Sequence, residues 1–313
     1  MKELLFMKPY TRQVLWGGTK LKELYGYDTE GEHTGEAWIV SATGNGQSVV
    51  SEGTWRGQTL GALWKQHREL FGDCKESEFP LLIKYIDAKE NLSIQVHPDD
   101  TYAFTHENGG RGKTECWYIV DCEENADIII GHNAQSKEEL KRMIQANQWS
   151  SLLSVYKIKK GDFFFIPSGT VHAIRKGTLI LEIQQNCDLT YRLYDYDRLQ
   201  NGKPRELHLK KAMDVITCPQ KFEPTAGPVI TRDGYTSQTL VNCRYFSVNK
   251  YVITSNMRID NCSHYLIVDV VEGNGSIDGH SLKAGDNFII PANYGDAEIT
   301  GNLMLMISST TKE

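Results

Sequence analysis

Residues 161–172 read Gly-Asp-Phe-Phe-Phe-Ile-Pro-Ser-Gly-Thr-Val-His, which is a turn, a short apolar strand and a second turn. The first seven positions recur as Gly285-Asp-Asn-Phe-Ile-Ile-Pro291, with the glycine, aspartate, isoleucine and proline at the same spacing. Such self-similarity indicates that one supersecondary unit occurs twice in the chain. We therefore predict two related β units.

Side chains that could bind a metal lie on or beside strand-like segments of the first unit. Gln95 and His97 stand two residues apart in an alternating stretch that Pro98 ends, so a strand would point both to one face. Glu115 opens another strand-like run, and His172 ends the segment quoted above. One amide oxygen, one carboxylate and two imidazoles suit a divalent transition metal, zinc first.

The second copy of the repeat lacks these side chains. Glu115-Cys-Trp-Tyr-Ile-Val-Asp121 resembles Ser263-His-Tyr-Leu-Ile-Val-Asp269, and residues 92–97 more weakly resemble residues 246–251. The aligned counterparts are Asn249 for Gln95, Tyr251 for His97, Ser263 for Glu115 and Asp296 for His172. Because turn and strand residues persist while the metal-binding types do not, we expect the first unit to hold the metal and the second to be a scaffold.

Length and composition are those of an ordinary globular protein. The chain has 313 residues, of which 40% are hydrophobic and 24% charged, and two domains are the best expectation at this length. A formal net charge of −6, with no basic run, argues against a nucleic-acid partner. A small anionic substrate is compatible with this charge, because a pocket can be locally positive.

Cysteine usage and the N-terminus bear on the compartment. The seven cysteines are odd in number and form no Cys-x-x-Cys pair, which indicates reduced thiols rather than a disulfide framework. The N-terminal apolar run is too short for a signal peptide. No stretch approaches the ~20 apolar residues that a membrane span needs. We expect a cytoplasmic protein without membrane contact.

Frequent turn signals separate short β-rich runs, which predicts an all-β sandwich or barrel. The clearest of these runs are residues 37–40, 155–158, 163–166 and 178–183. Apolar spacing predicts helices at residues 59–71, 136–147 and 207–215, the second opening with a capping box. Residues 219–233 contain three prolines and no periodicity, so we place the boundary between the two units there.

Three basic residues accompany the candidate metal ligands. Lys113 lies two residues before Glu115, hence on the same strand face. Lys84 lies in an apolar strand, where burying a charge is unfavourable unless the charge has a function. Arg192 follows Asp188 by four residues. Arginine offers a fixed fork for phosphate or an enediolate, and lysine a mobile point charge. Three cations near one metal-bearing face indicate an anionic substrate.

Taken together, these motifs resemble type I mannose-6-phosphate isomerase in its short bacterial form. They are Phe79-Pro-Leu-Leu-Ile-Lys84, Leu92-Ser-Ile-Gln-Val-His-Pro-Asp-Asp100, Gly112-Lys-Thr-Glu115, Pro167-Ser-Gly-Thr-Val-His-Ala173 and Asp188-Leu-Thr-Tyr-Arg192. The resemblance runs over most of residues 1–215. It implies a mainly β fold of two cupin (jelly-roll-like β-barrel) units with a few helices. We expect a catalytic, metal-binding unit at 1–235 and a cupin-like unit without metal ligands at 236–313.

The resemblance also implies a reaction, the interconversion of mannose 6-phosphate and fructose 6-phosphate through an enediol(ate). It implies one zinc ion per chain, held by Gln95, His97, Glu115 and His172. The implied catalytic residues are Arg192, Lys113 and Asp188, and the implied contacts to the sugar phosphate are Lys84, Lys113 and Arg192. The base that removes the carbon-bound proton stays open between a metal-bound hydroxide, Asp188 and Lys113. We expect a monomer or homodimer.

Two other classes of function are compatible with parts of this pattern. Histidine and carboxylate ligands suit Fe(II) equally, as in a cupin dioxygenase, which oxygen uptake would reveal. A non-catalytic regulator that binds a sugar phosphate is the other reading. The basic cluster argues against the dioxygenase, and the intact ligand set argues against the regulator.

Overall fold

Antiparallel strands build most of the protein in the computed structural model, which describes residues 2–29, 31, 33–72, 74–260 and 263–311. The helices are α1 Lys20–Tyr25, α2 Leu60–Gln66, α3 Asp100–His106, α4 Lys137–Gln145, α5 Trp149–Leu152 and α6 Leu209–Val215, with a 3-10 turn at Arg68–Phe71. No helix within these ranges has the length and apolar character needed to cross a membrane.

The strands fall into a first and a second series along the chain. The first series is β1 Leu5–Lys8, β2 Tyr10–Gly18, β3 Thr34–Val40, β4 Ala42–Thr43, β5 Gly46–Gln47, β6 Val49–Val50, β7 Leu81–Ala88, β8 Ile94–Val96, β9 Glu115–Cys122, β10 Asp127–His132, β11 Leu153–Lys157, β12 Phe163–Ile166, β13 His172–Ile174, β14 Thr178–Gln185, β15 Tyr191–Tyr194, β16 Leu199–Gln200 and β17 Lys203–Pro204. The second is β18 Ile230–Arg232, β19 Tyr235–Asn242, β20 Phe246–Ile253, β21 Asn256–Ile259, β22 Leu266–Ile277, β23 His280–Lys283, β24 Asn287–Ile290 and β25 Ala297–Thr310.

The first unit is a sandwich of two sheets. A six-stranded sheet in the order β12-β9-β14-β7-β2-β3 faces a five-stranded sheet in the order β11-β10-β13-β8-β15. Trp117 and Ile119 of β9 pack into one core with Ile128 of β10 and Ile174 of β13. Because successive side chains of a strand point to opposite faces, Glu115 shares the inner face with Trp117. The pleat of β9 therefore places the predicted carboxylate ligand between the sheets.

The second unit is built on a ten-stranded sheet whose main path runs β18-β19-β20-β25-β22-β24-β1-β6. Val268, Phe288 and Leu305 form its inner core. The N-terminal strand β1 joins this sheet through β24, with Leu5 opposite Ile289. Since β1, β6 and β18 all precede residue 235, strands from both sides of the predicted boundary share one sheet. The division at residues 235 and 236 stays a prediction.

One apolar cluster joins the two units. It contains Leu63 and Trp64 of α2, Tyr85 of β7 and, from the second unit, Phe246 and Ile267, all with at most 1% of their surface exposed. Burying a side chain of this size contributes about 1.5–3 kcal/mol. The units therefore share a core and hold one another in place.

The predicted mainly β class with two cupin units is confirmed, and the predicted helices form with shorter bounds. The Thr59 hydroxyl accepts from Ala62 N (3.2 Å) at the start of α2, and the Ser136 hydroxyl accepts from Glu139 N (3.1 Å) at the start of α4. Helix α2 stops before His67, whose φ of −132° is not helical. Helices α1, α3 and α5 were missed because helices of four to seven residues show little periodicity.

The strand register corrects the alignment of the repeat. In the first unit Ile166 of β12 lies opposite Glu115 of β9, whereas in the second unit Ile290 of β24 lies opposite Leu266 of β22. Counted from the shared Ile-Pro, the counterpart of Glu115 is therefore Leu266 and not Ser263. A three-residue shift exchanges the two faces of a strand, so only Leu266 shares the inner face with Val268. Its apolar side chain still leaves the second unit without that ligand.

Candidate active site

The four predicted metal-binding side chains meet at one end of the first sandwich. Gln95 of β8 and His172 of β13 are direct partners across the five-stranded sheet. Glu115 begins β9 on the facing sheet, and His97 follows the last residue of β8. The metal-binding atoms of His97, Glu115 and His172 all lie within 4.8 Å of one another, and all three residues are buried.

Short distances link these side chains through atoms that can bind a metal. Glu115 Oε2 lies 3.5 Å from His97 Nε2, and Glu115 Oε1 lies 3.4 Å from His172 Nε2. The amide nitrogen of Gln95 lies 3.3 Å from His172 Nε2. Rotating that amide by half a turn brings its oxygen, a metal ligand, to the same place.

The surrounding hydrogen bonds orient the ligands toward one another. His172 Nδ1 donates to the carbonyl oxygen of Thr170 (2.9 Å), which leaves the Nε2 lone pair facing Glu115. Glu115 Oε1 is buried and accepts no hydrogen bond from the described residues. A buried carboxylate oxygen without a donor, facing the Nε2 of an imidazole, fits a divalent cation. The residues present therefore suit the implied metal.

Burial sets the charge of the ligands. It lowers the pKa of His97 well below its ordinary value and the pKa of His172 to about 4, and the nearby ammonium of Lys113 acts in the same direction. Both imidazoles are therefore neutral near pH 7, the form that binds a metal. Burial raises the pKa of Glu115 to about 7, against the opposing pull of Lys113.

Lys113 belongs to the same cluster. Its ammonium nitrogen lies 2.6 Å from Glu115 Oε2 and 3.1 Å from His97 Nε2. Burial alone would lower the pKa of Lys113, but the carboxylates of Glu115 and Glu182 together outweigh it and raise the pKa. The side chain is thus a fixed positive charge at the edge of the candidate metal centre.

A row of side chains crosses the six-stranded sheet beside this centre. Trp38, Lys84, Glu182 and Trp117 are successive direct partners on β3, β7, β14 and β9. The Lys84 ammonium lies 3.2 Å from Glu182 Oε2, and the Trp117 indole donates to Glu182 Oε1 (3.0 Å). Burial would raise the pKa of Glu182, but Lys113 and Lys84 lower it, so the group is an ionised carboxylate.

Arg192 approaches the centre from the opposite sheet. It lies directly across from Gln95 on the neighbouring strand. Its guanidinium donates to the Ser93 hydroxyl (3.2 Å) and to the carbonyl oxygen of Glu206 (2.9 Å), and burial lowers its pKa. Asp188 is exposed at the rim, where its carboxylate accepts from the Asn45 amide.

Gln95 and the charged groups beside the ligand cluster line one cavity of about 700 Å³. Its charged and polar lining includes Lys84, Gln95, Lys113, Glu182, Asp188 and Arg192, with Arg12 and Arg205 nearer the outside. A volume of this size accommodates a small molecule. Sequence reasoning singled out each of the first six except Glu182. Its position in the apolar run Thr178-Leu-Ile-Leu-Glu182 carried the same signal of a buried charge as Lys84.

Comparison with known proteins gives a consistent result. The family described as phosphomannose isomerase type I, catalytic domain, matches residues 4–115, and that described as mannose-6-phosphate isomerase, cupin domain, matches residues 236–310. The chain is 47% identical over 311 residues to mannose-6-phosphate isomerase ManA of Bacillus subtilis, covering 98% of each protein. It is 43% identical over 317 residues to mannose-6-phosphate isomerase of Streptococcus mutans, covering the whole of both.

A solved structure extends the similarity to three dimensions. The crystal structure of the mannose 6-phosphate isomerase from Bacillus subtilis superposes with a TM-score of 0.95 at 47% sequence identity. The match covers 98% of this chain and 99% of that one. The two chains therefore share the fold of both units.

Proposed function

This chain belongs to the type I phosphomannose isomerase family, and from that membership we propose that it is a zinc-dependent isomerase that interconverts mannose 6-phosphate and fructose 6-phosphate. The observation that supports the proposal is a buried His, Glu and His cluster in direct contact with Lys113, which lines one cavity together with Gln95, Lys84 and Arg192. Its relatives are named for this activity. The chain is accordingly an isomerase enzyme.

We assign the metal to Gln95, His97, Glu115 and His172, one ion per chain. A zinc ion bound there supplies Lewis-acid polarisation of substrate oxygens. The nitrogen and oxygen ligands suit zinc, and the neutral imidazoles need no deprotonation before they bind it. The same ligands suit Fe(II), so metal content decides the identity of the ion.

The cations recognise the sugar phosphate and the charge that develops on it. Lys113 contacts His97 of the ligand cluster and Arg192 lies across from Gln95, so we assign them to the oxygens of C1 and C2. Preorganised cations in a site shielded from water stabilise a developing oxyanion more than water does. Lys84 contributes a third positive charge, although Glu182 partly neutralises it.

The reaction needs a base that moves a proton between two carbons. In the forward direction the proton on C2 leaves, the C1 carbonyl oxygen gains a proton, and an enediol forms. A proton then returns to C1 while the C2 hydroxyl loses its own and becomes the ketone. We propose that Glu182 carries the carbon-bound proton, because it is an ionised carboxylate that lines the cavity. Lys113 suits this role poorly, because its pKa is raised.

Asp188 stays in the proposed catalytic set as a carboxylate at the rim of the cavity. It is exposed, and its carboxylate accepts a hydrogen bond from the Asn45 amide. We propose that it orders the entrance rather than transferring the proton. The cytoplasmic location and a monomeric or dimeric state also remain proposals; each of the six described cysteines is a free thiol.

A coupled assay tests the proposed function. Purified protein loaded with zinc is given mannose 6-phosphate, and fructose 6-phosphate is measured as it forms. We expect turnover with mannose 6-phosphate and none with unphosphorylated mannose, because the cavity is built around cations. Absence of turnover in protein that contains zinc would overturn the proposal. Oxygen consumption by the iron-loaded protein would then test the dioxygenase reading.

A further inference from the structure

Lys113 lies on a segment outside any helix or strand. Residues 111–114 are neither helix nor strand and connect the turn after α3 to the start of β9. A lysine side chain has four flexible torsions, so the position of its ammonium depends on where its backbone is anchored. The backbone N–H of Lys113 donates to the carbonyl oxygen of Pro98 (3.0 Å). The neighbouring N–H groups are held by two side chains instead.

Asp100 and Gln185 clamp the residues on either side of Lys113. Gly112 N donates to Asp100 Oδ1 (2.8 Å), and Thr114 N donates to Gln185 Oε1 (2.8 Å). Gln185 Nε2 also donates to Asp100 Oδ1 (3.1 Å), which joins the two contacts into one network. Asp100 Oδ1 therefore accepts two hydrogen bonds, and its position depends on both.

The contact at Gly112 is too close for any side chain. A Cβ added to Gly112 would lie 2.5 Å from the backbone nitrogen of Asp100 and 2.5 Å from the carbonyl carbon of Asp99. The segment that carries Lys113 thus packs directly on the start of α3, which follows His97 by only three residues. The clamp therefore connects the chain that follows the metal ligand His97 to the segment that leads into the metal ligand Glu115.

The second unit reaches the same network through Tyr245. This residue lies between β19 and β20 and, with Asp100 and Gln185, lines a cavity of about 610 Å³ at the junction of the units. Burial and the nearby Asp100 carboxylate raise the pKa of Tyr245 to about 12. The carboxylate that holds Gly112 therefore shares a cavity with a tyrosine of the second unit.

We propose that Asp100 and Gln185 are positioning residues that fix the Lys113 ammonium for the isomerisation, and that Tyr245 ties this clamp to the second cupin unit. The inference rests on the proposed function, since it assigns the clamp to a reaction in which Lys113 takes part. It gives the second unit a part in the reaction although that unit lacks the metal ligands.

Three variants at this clamp distinguish a role in positioning Lys113 from a purely structural role. Asp100→Ala removes the acceptor of both hydrogen bonds, and we expect kcat to fall about 10- to 100-fold with KM changed much less, because small misplacements of a catalytic group have costs of this size. Asp100→Asn keeps Oδ1 and should retain most of the activity. Tyr245→Phe removes only the contribution of the second unit, and a fall of about 3- to 10-fold is expected.

A matched control comes from another tyrosine at the junction. The Tyr27 hydroxyl donates to the carbonyl oxygen of Gly285 (2.7 Å) and accepts from the Asn287 amide (2.9 Å), so Tyr27→Phe removes hydroxyl contacts between the units. These hydrogen bonds involve neither Lys113 nor the Asp100 and Gln185 clamp, so we expect the kcat of Tyr27→Phe to equal that of the wild type. A similar fall in kcat for Tyr27→Phe and Tyr245→Phe would show general loosening of the junction and overturn the proposal.

Amide hydrogen exchange provides a readout that does not depend on turnover. The amides of Gly112 and Thr114 should exchange faster in Asp100→Ala than in the wild type, while the bound zinc stays at one ion per chain. Wild-type protein is assayed in parallel. If the wild type shows no turnover, the proposed function is wrong, and the exchange measurement still tests the clamp. Unchanged exchange at both amides, or an active wild type matched by an equally active Asp100→Ala, would overturn the inference.

Discussion

The ammonium of Lys84 lies 3.2 Å from Oε2 of Glu182, and the two residues are direct partners on β7 and β14. Both are buried, with 6% and 3% of their surface exposed. A buried ion pair is strongly destabilising when one partner is removed, by about 3–5 kcal/mol, because the other charge is left uncompensated. The intact pair therefore keeps a carboxylate beside the candidate metal centre, because each charge offsets the desolvation cost of the other.

The first prediction concerns Glu182 as the proton-transferring group. Glu182→Gln keeps the shape of the side chain but removes the base, so we expect kcat to fall by about 10²-fold or more. Zinc should stay bound, since none of the assigned ligands is altered. Steady-state kinetics with metal analysis of the same sample checks both.

Asp188→Asn is the matched comparison for that experiment. It removes a carboxylate that lines the same cavity from an exposed position. We expect a loss of less than about 10-fold, as for a group outside the proton path. A larger loss for Asp188→Asn than for Glu182→Gln would assign the proton transfer to Asp188.

The second prediction concerns the metal ligands. His172→Ala should lose both zinc and turnover, because it removes one of three buried donors that face one another. His132→Ala is the control: it also removes a buried histidine, whose Nε2 lies 3.0 Å from the carbonyl oxygen of Thr217. It should keep one zinc per chain. Full zinc occupancy in His172→Ala, measured by elemental analysis after dialysis, would refute the ligand assignment.

The third prediction concerns Arg192. Arg192→Ala should lower kcat about 10²- to 10³-fold while zinc remains bound, as expected for a cation that stabilises developing negative charge. Arg175→Ala is the control, since this arginine follows the ligand-bearing strand β13 but pairs with Asp127 (2.5 Å). Turnover in Arg192→Ala close to that of Arg175→Ala would remove Arg192 from the mechanism.

Local sequence patterns predicted those site residues that lie close to one another in the chain. Gln95 and His97 are two residues apart, and Lys113 and Glu115 likewise, so each pair is close in the chain, although His97 lies just after β8 and Lys113 lies before β9 rather than on the predicted strand. The apolar run around Glu182 marks a buried charge, but its pairing with Lys84 was not readable, because the two residues are 98 apart in the chain and adjacent only through sheet pairing. The Asp100 clamp was missed for the same reason.

The internal repeat shows a second limit of prediction from the sequence. Its existence was readable from the shared Gly-Asp and Ile-Pro pairs, but the register of the neighbouring strand was not. Short apolar strands resemble one another in several registers, and Ser263 aligned better by residue type than Leu266. Hydrogen bonding between β22 and β24 decides the register, and it depends on the whole sheet.

The fourth prediction concerns stability against pH. Asp269 is fully buried with neither carboxylate oxygen hydrogen-bonded among the described residues, and burial raises its pKa to about 8 from an ordinary 3.8. Between these values the folded state holds a proton that the unfolded state has lost. Its contribution to the free energy of unfolding therefore falls as pH rises from about 4 to about 8, by at most about 1.4 kcal/mol per pH unit.

Asp269→Asn should remove this dependence and be more stable than the wild type at pH 8. Denaturant unfolding at several pH values measures the difference between the two proteins. Asp121→Asn serves as the control, because Asp121 is also a strand aspartate but is partly exposed and paired with Lys20. A wild-type advantage that grows toward pH 8 would contradict the prediction.

A zinc titration tests metal-dependent isomerisation most directly. Metal-free protein is prepared with a chelator and titrated with zinc while conversion of mannose 6-phosphate to fructose 6-phosphate is followed. We predict no turnover without metal, a linear rise, and a break at one zinc per chain, with His172→Ala inactive throughout. Full turnover in the metal-free protein, or zinc binding at one per chain without any turnover, would contradict the proposed reaction.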